Sequence, residues 1–256
     1  MRSGEGKRGA HGDGLPDVAE GCIVLIELVG TAGVGKSHLQ GRLLELLGSQ
    51  AADPYSFGWS VNDLRSVVGA VVRFAPMFAF MLRSSRETKK TRQILKYSMR
   101  LLRYAFQEER ARRARVPPRV VVSANGWYHK LRQVRRLLDP SLRFEHLPGS
   151  VQRELFRASV VVHVTADPLE ICARKLRRSG EDVTECSLAA AYERAAEAGQ
   201  WQEYGPSRED LEQAARSRGL KVIEIVYDDG YSVERELLPM LIGLGVVTDA
   251  GRSAVT

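Results

Sequence analysis

Apolar residues lie along the chain both in short continuous runs and in longer stretches with helical spacing. Two nearly continuous runs, 23–29 and 119–123, predict buried strands, the first of them buried on both faces. The stretches 159–164 and 220–227 predict two further strands. A leucine-rich stretch after the first run predicts a helix that ends near Gly48, because glycine is a natural helix stop. Strands of this kind, with helical segments between them, indicate an α/β fold with a parallel sheet.

The block from 60 to 117 departs from this alternation and predicts a helical insertion. Its apolar part, 67–82, is too short for a comfortable membrane span, and Arg73 and Pro76 interrupt it. We interpret this part as a pair of buried helical segments that is broken at Pro76. The alternative is a surface that lies on a membrane or on a hydrophobic acceptor.

The second half of this block is strongly basic. Arginines and lysines from Arg83 to Arg115 are opposed only by Glu87, Glu108 and Glu109. The simpler interpretation is a solvated basic face, and the alternative is a contact with a phosphorylated or lipid-linked acceptor or with anionic lipid. Nucleic acid is not an expected partner, because no recognised reading module accompanies the charge.

Composition adds limits on the class of protein. The 256 residues are enough for one substantial α/β domain, which we place at 21–248 between loose tails at 1–20 and 249–256. The net charge of +7 favours anionic partners. Three scattered cysteines without a CxxC pair predict reduced thiols, and with no apolar signal segment visible near the start we expect a cytoplasmic protein.

The most specific motif is the stretch G-T-A-G-V-G-K-S at 30–37, which fits the phosphate-binding pattern G-x-x-x-x-G-K-[ST]. It lies between the first predicted strand and the first predicted helix, as that pattern requires. Glycines let the backbone amides converge on one point, and the positive end of the helix faces the same point. The residues expected to bind the nucleotide are Gly30, Thr31, Ala32, Gly33, Val34, Gly35, Lys36, Ser37 and the following His38.

Within this stretch Lys36 is expected to reach the terminal phosphates, and the Ser37 hydroxyl is expected to coordinate Mg²⁺. The predicted cofactors are therefore ATP and Mg²⁺, although the motif does not separate ATP from other nucleoside triphosphates. A GTPase is not expected, because the chain has no N-K-x-D guanine motif.

Taken together, three stretches give the chain a resemblance to the nucleotide and nucleoside kinase branch of P-loop proteins, including thymidylate kinase and deoxynucleoside kinases. The first is the opening strand and glycine loop, 27–37; the second is the strand, D-P dipeptide and arginine-bearing helix at 160–180; the third is the last strand at 222–225. The resemblance implies a P-loop NTPase three-layer sandwich with a parallel sheet and an arginine-bearing lid. It also implies ATP-dependent transfer of the γ-phosphoryl group to a small hydroxylated or phosphorylated acceptor.

The lid helix supplies the candidate groups for the transferring phosphoryl charge. These are Arg174 and Arg178, which share a helix face, and Arg177, which is also a candidate for nucleotide binding. A solvated lid face is the alternative for all three. Asp167 is a candidate metal ligand, or else a helix cap ahead of Pro168.

The sequence matches this kinase branch less completely at the acceptor site than at the nucleotide site. Relatives in this branch usually carry an acidic residue just after the strand that ends here at Ser123, whereas this chain continues with Ala124 and Asn125. Glu27 and Asp53 are the candidate general bases, and Glu27 could instead be a structural carboxylate bonded to loop amides. The missing acid motivates the alternative function, a catalytically weak nucleotide-binding regulatory protein of kinase descent.

The expected partner is a small-molecule acceptor, nucleoside-like or a sugar or natural-product intermediate. A homodimer and a peripheral contact with an anionic membrane or a lipid-linked acceptor, made through 60–115, stay open.

Overall fold

Five strands form one parallel sheet in the computed structural model, which describes residues 23–56, 64–88, 91–114, 119–124, 126, 149, 160–197 and 220–247. The strands are β1 (Val24–Val29), β2 (Ala51–Ala52), β3 (Val120–Ser123), β4 (Val160–Thr165) and β5 (Lys221–Val226). The predicted tails at 1–20 and 249–256 lie outside the described residues, and so does Asn125.

The order of the strands across the sheet is β2-β3-β1-β4-β5. β1 is therefore the central strand, paired in parallel with β3 on one side and with β4 on the other. The strands that follow β1 fill first one side of the sheet and then the other. In such an open sheet the crevice at the carboxyl ends, where the order reverses, is the place where ligands bind.

Helices cover both faces of this sheet. The described helices are α1 (Lys36–Leu47), α2 (Leu64–Thr88), α3 (Thr91–Arg112), α4 (Pro168–Ser179), α5 (Glu185–Glu197) and α6 (Leu238–Gly243), the last preceded by a π-helical turn, Val233–Leu237. The prediction of an α/β fold with a parallel sheet is confirmed, and α1 ends at Leu47 with Gly48 as its C-cap, as predicted.

The alternation of side chains along β1 divides the core in two. Ile26 and Leu28 point to one side, where they join Leu39 and Leu43 of α1 in a buried cluster. Leu25 and Val29 point to the other side, where a second cluster contains buried residues of α2 and α3. A strand with two buried faces needs an apolar residue at nearly every position, which explains the continuous run in the sequence.

α2 is one continuous helix, so the predicted break at Pro76 is wrong. A proline inside a helix removes the hydrogen bond to the carbonyl four residues earlier, here that of Val72. Val72 is exposed, at 67% of its surface, and a hydrogen bond lost at a wet position costs less than one lost in a core. The helix therefore continues through the proline.

α2 and α3 form an antiparallel pair on the β1 face opposite α1. Arg73 of α2 donates to Glu108 at 3.2 Å and to Glu109 at 3.2 Å, both near the end of α3. Nearer the other end of the pair, the Ser98 hydroxyl lies 3.7 Å from the sulfur of Met81. Among the described helices none is long and apolar enough to cross a bilayer.

Replacing Phe74, which is 4% exposed, tests whether α2 is part of the core. We expect Phe74→Ala to lower the free energy of unfolding by roughly 3–5 kcal/mol, because it removes a packed aromatic ring and leaves a cavity. Val72→Ala, on the exposed side of the same helix, should change it by no more than about 0.5 kcal/mol. Urea unfolding of both variants measures the difference, and equal effects would contradict this packing.

Candidate functional site

The loop at 30–35 leaves the carboxyl end of the central strand and enters α1 at Lys36. Gly30 approaches the backbone carbonyl of Val164 so closely that a Cβ atom at this position would overlap it. Gly35 has φ +106°, and a Cβ there would come within 2.5 Å of the Tyr227 ring. Both glycines are therefore required by the neighbouring segments as well as by the curvature of the loop.

The amino end of α1 is open towards the loop. Gly35 is the N-cap residue, and neither a side-chain cap nor an acidic residue in the first turn is present there. The first amide groups of the helix thus keep their hydrogen atoms directed at the loop, together with the positive end of the helix dipole. Such an end is suited to an anion, above all to phosphate.

Lys36 folds back across the loop. Its Nζ donates to the carbonyl oxygens of Gly30 and Thr31, both at 2.7 Å, and the residue is 9% exposed. The ammonium group is thus held against the backbone of the loop, where it adds a positive charge beside the open end of α1. Ser37, the next residue, is exposed in the first turn of α1.

Arg174 joins three segments at the edge of this loop. Its guanidinium donates to the Val34 carbonyl at 3.1 Å and to the Tyr227 carbonyl at 3.3 Å. It also pairs with Glu170 at 3.0 Å and Asp229 at 3.4 Å. The prediction brings Arg174 towards the nucleotide through a lid, whereas the structure places it as a clamp between α4, the glycine loop and the end of β5.

Tyr227 contacts Arg174, the glycine loop and His38. Its ring lies under the Arg174 guanidinium at 5.3 Å and against Gly35, and its hydroxyl is 2.5 Å from Nδ1 of His38. Burial raises the pKa of Tyr227, and the positive charge of Arg174 opposes that effect. The phenol is therefore neutral at ordinary pH and can donate to the His38 ring. His38, predicted as a nucleotide contact, is held to β5 in this way.

The other two candidate arginines of α4 do not lie at the loop. Arg177 is 58% exposed in its side chain and lies 3.6 Å from Glu170, and Arg178 is exposed near the end of α4. Arg174 and Arg178 are one turn apart, as the spacing requires, but only the earlier residue reaches the glycine loop.

Two of the candidate carboxylates accept hydrogen bonds from backbone amides that follow them closely in the chain. Asp167 accepts hydrogen bonds from the amides of Leu169 at 2.7 Å and Glu170 at 3.4 Å, so it caps α4 as the alternative interpretation proposes. Asp53 accepts from the amide of Tyr55 at 3.0 Å. Each carboxylate is thus engaged by the local backbone.

Glu27 in the second half of β1 and Ser123 at the end of β3 form a buried polar corner. They are paired in register on the two strands, and each is 0% exposed. By the alternation of β1, Glu27 points to the α3 side, where Tyr104 is also buried. Burial first, and then the charges of Glu27 and Glu108, raise the pKa of Tyr104 well above its usual range.

Gly126 closes this corner from the loop after β3. A Cβ atom at Gly126 would lie 2.5 Å from the carboxyl carbon of Glu27, so the backbone of this loop passes directly over the carboxylate. The carboxylate beside the end of β3 thus comes from the neighbouring strand, β1. Sequence analysis misses this pairing, because no local pattern shows that β1 and β3 are neighbours.

A cavity of about 580 Å³ lies beside Thr31 and Ala32 of the loop. Lys175 and Arg194, from α4 and α5, line it together with Glu181. The Lys175 side chain also packs over Gly33, since a Cβ there would lie 3.2 Å from its Cε. The helical spacing of α4 gives no reason to prefer Lys175 over its arginine neighbours, so the sequence does not single it out.

Within the described ranges no group of three or more His, Cys, Asp or Glu side chains is arranged to hold a metal ion. The two residues predicted as metal ligands, Ser37 and Asp167, lie in the first turn of α1 and at the amino end of α4.

No protein-family model matches this chain, and no curated protein matches it at a significant level.

A pair of glycine substitutions tests the crowding at the loop. Gly35→Ala should lower the free energy of unfolding by roughly 1–2 kcal/mol from the left-handed backbone alone, and displacement of the Tyr227 ring adds to this. Gly41→Ala, within α1 and with nothing within 4 Å of the new methyl group, should raise it by about 0.5–1 kcal/mol. Urea unfolding measures both, and a tolerated Gly35→Ala would show that Tyr227 does not fix the loop.

Proposed function

We propose that this protein is a P-loop kinase of small molecules, which transfers the γ-phosphoryl group of ATP to a hydroxylated or phosphorylated acceptor. The observation that carries the proposal is the glycine loop at the end of the central strand, with the Lys36 ammonium held against its backbone. An open α/β sheet binds ligands at this position, and an uncapped helix end next to converging amides suits a polyphosphate.

The donor side follows from this geometry. The loop amides and the α1 end would hold the phosphates, Lys36 would exchange its two carbonyl contacts for phosphate oxygens, and Ser37 would supply one ligand to Mg²⁺. When bound, Mg²⁺ neutralises phosphate charge and orients the terminal group. Arg174 acts as a positioning residue, because its guanidinium is already engaged by Val34, Glu170 and Tyr227.

The acceptor side is assigned to the buried corner of Glu27 and Ser123. Glu27 is the stronger candidate for the general base, since Asp53 is bonded to the amide of its own turn. A carboxylate in this corner also weakens the reason for the alternative, a catalytically weak regulatory protein, because that reason is the missing acid after β3. Lys175 and Arg194 line the cavity beside the loop and are the cations that suit charge on the transferring group.

The donor site is tested by nucleotide binding. Lys36→Ala should weaken the binding of Mg-ATP roughly 10- to 100-fold, because charge-assisted contacts to the phosphates are lost. Lys221→Ala is the matched control. Lys221 is the first residue of β5, so it lies at the amino ends of the parallel strands, whereas the loop lies at their carboxyl ends. Isothermal titration with and without Mg²⁺ measures both variants. Equal affinity of Lys36→Ala and wild type would end the proposal.

The role of Glu27 is tested by Glu27→Gln, with turnover followed in a panel of nucleosides, nucleotides and sugars. If Glu27 is the general base, Glu27→Gln should lower kcat by roughly 10²- to 10⁴-fold and leave the affinity for Mg-ATP unchanged. If Glu27 is a structural carboxylate, the same substitution should instead lower the free energy of unfolding and weaken ATP binding. Asp53→Asn is the control, and a similar loss of kcat there would contradict the assignment to Glu27.

A further inference from the structure

The outward side of α2 carries a continuous apolar stripe. Helical spacing places one set of exposed residues along this side: Val68, Val71, Val72, Ala75, Ala79 and Leu82. Exposure is 52% for Val68, 48% for Val71, 67% for Val72 and 38% for Leu82. We call these six residues the outer stripe.

Core packing does not account for the outer stripe. The opposite side of α2 supplies Ala70, Phe74, Met77 and Met81, all buried, to the cluster against the sheet. A surface helix needs only one apolar side for this purpose, and its other side is normally polar. Contiguous exposed apolar residues usually mark a surface that contacts something else.

Cations border the outer stripe. Arg65 and Arg83 are exposed near its two ends on α2 itself. The exposed side of the neighbouring α3 carries a further set: Arg92, Lys96, Arg100 and Arg103. Because α2 and α3 pack on the sheet with their buried sides, these exposed sides both point away from it.

The carboxylates of the pair are turned inward. Glu108 and Glu109 have side chains only 3% and 12% exposed, and they are paired with Arg73, Arg112 and Arg113. No other carboxylate of α2 or α3 has a described side chain. In the described part of the pair, the outward side is thus apolar and positive.

We propose that the outward sides of α2 and α3 form a docking surface for an anionic lipid bilayer. The outer stripe would enter the boundary between headgroups and acyl chains, and the flanking arginines and lysines would contact lipid phosphates and carboxylates. Since none of the described helices can span a bilayer, the pair would lie on the surface. This inference is independent of the kinase proposal, because it uses no residue of the glycine loop.

The charges and the aliphatic side chains of this surface favour lipid over two other partners, a second copy of the chain and a single-stranded nucleic acid. In a symmetric pair of chains joined through this surface, the same cations would face each other across the interface, which is unfavourable. Single-stranded nucleic acid is bound through aromatic side chains on which bases stack, and the outer stripe has only aliphatic ones.

The test is co-sedimentation with vesicles of phosphatidylcholine, with and without about 30% phosphatidylserine, at low and high salt. Wild type should bind only the anionic vesicles, and less so at high salt. Val72→Glu should abolish binding, and the double variant Lys96→Glu with Arg100→Glu should weaken it by at least about 25-fold, or roughly fivefold for each lost charge.

Matched controls come from the opposite layer of the fold. Met240→Glu and Arg235→Glu replace an exposed apolar residue and an exposed cation on the other side of the sheet, and they should bind like wild type. Thermal unfolding of every variant confirms that the fold is kept.

Three results would overturn the proposal. They are an absence of wild-type binding to anionic vesicles, equal loss in the control variants, and equal binding to neutral vesicles. Concentration-dependent dimerisation that Val72→Glu abolishes, in the absence of vesicle binding, would assign the surface to a second copy of the chain. A single-stranded oligonucleotide that displaces wild type from anionic vesicles, and that binds Val72→Glu as tightly as wild type, would assign the cations to nucleic acid.

Discussion

The contact between the Gly35 backbone and the Tyr227 ring is the constraint on which the site depends. Gly35 is both the last residue of the loop and the N-cap of α1, so its position sets the direction of the helix axis. The ring, in turn, stands at the end of β5 and under the guanidinium of Arg174. The open helix end, the position of Lys36 and the clamp on α4 all follow from how closely these segments approach.

A second constraint is the alternation of side chains along the central strand. Two adjacent positions of β1 face different layers, so Ile26 packs under α1 while Glu27 is turned towards α3. A carboxylate in a strand that is otherwise apolar costs free energy on burial unless it is compensated. Glu27 lies in the second half of β1, beside Ser123 at the end of β3 and beneath the Gly126 backbone.

Elements with a strong local signal could be predicted from the sequence. The continuous apolar run of β1, the glycine loop and the end of α1 at Gly48 all have such a signal, because burial on two faces and left-handed backbone restrict the residue type. Spacing also shows that Arg174 and Arg178 share a side of α4. It does not show which of the two arginines reaches the glycine loop, so the contacts of Arg174 and the exposure of Arg178 could not be predicted.

Features that depend on neighbours distant in the chain could not be predicted. The partnership of Glu27 with Ser123 requires the strand order, and residues almost a hundred positions apart give no local sign of it. The two apolar sides of α2 are a similar case. Periodicity identifies both sides, but only packing against the sheet shows that Phe74 is covered and Val72 is not.

The clamp formed by Arg174 has a consequence for local motion. A single guanidinium contacts the loop at Val34, the end of β5 at Tyr227 and its own helix at Glu170. Any fluctuation that opens the loop must break contacts to the other two segments at the same time. The loop, the start of α4 and the end of β5 should therefore behave as one cooperative unit in hydrogen exchange, with amides that become exchangeable together.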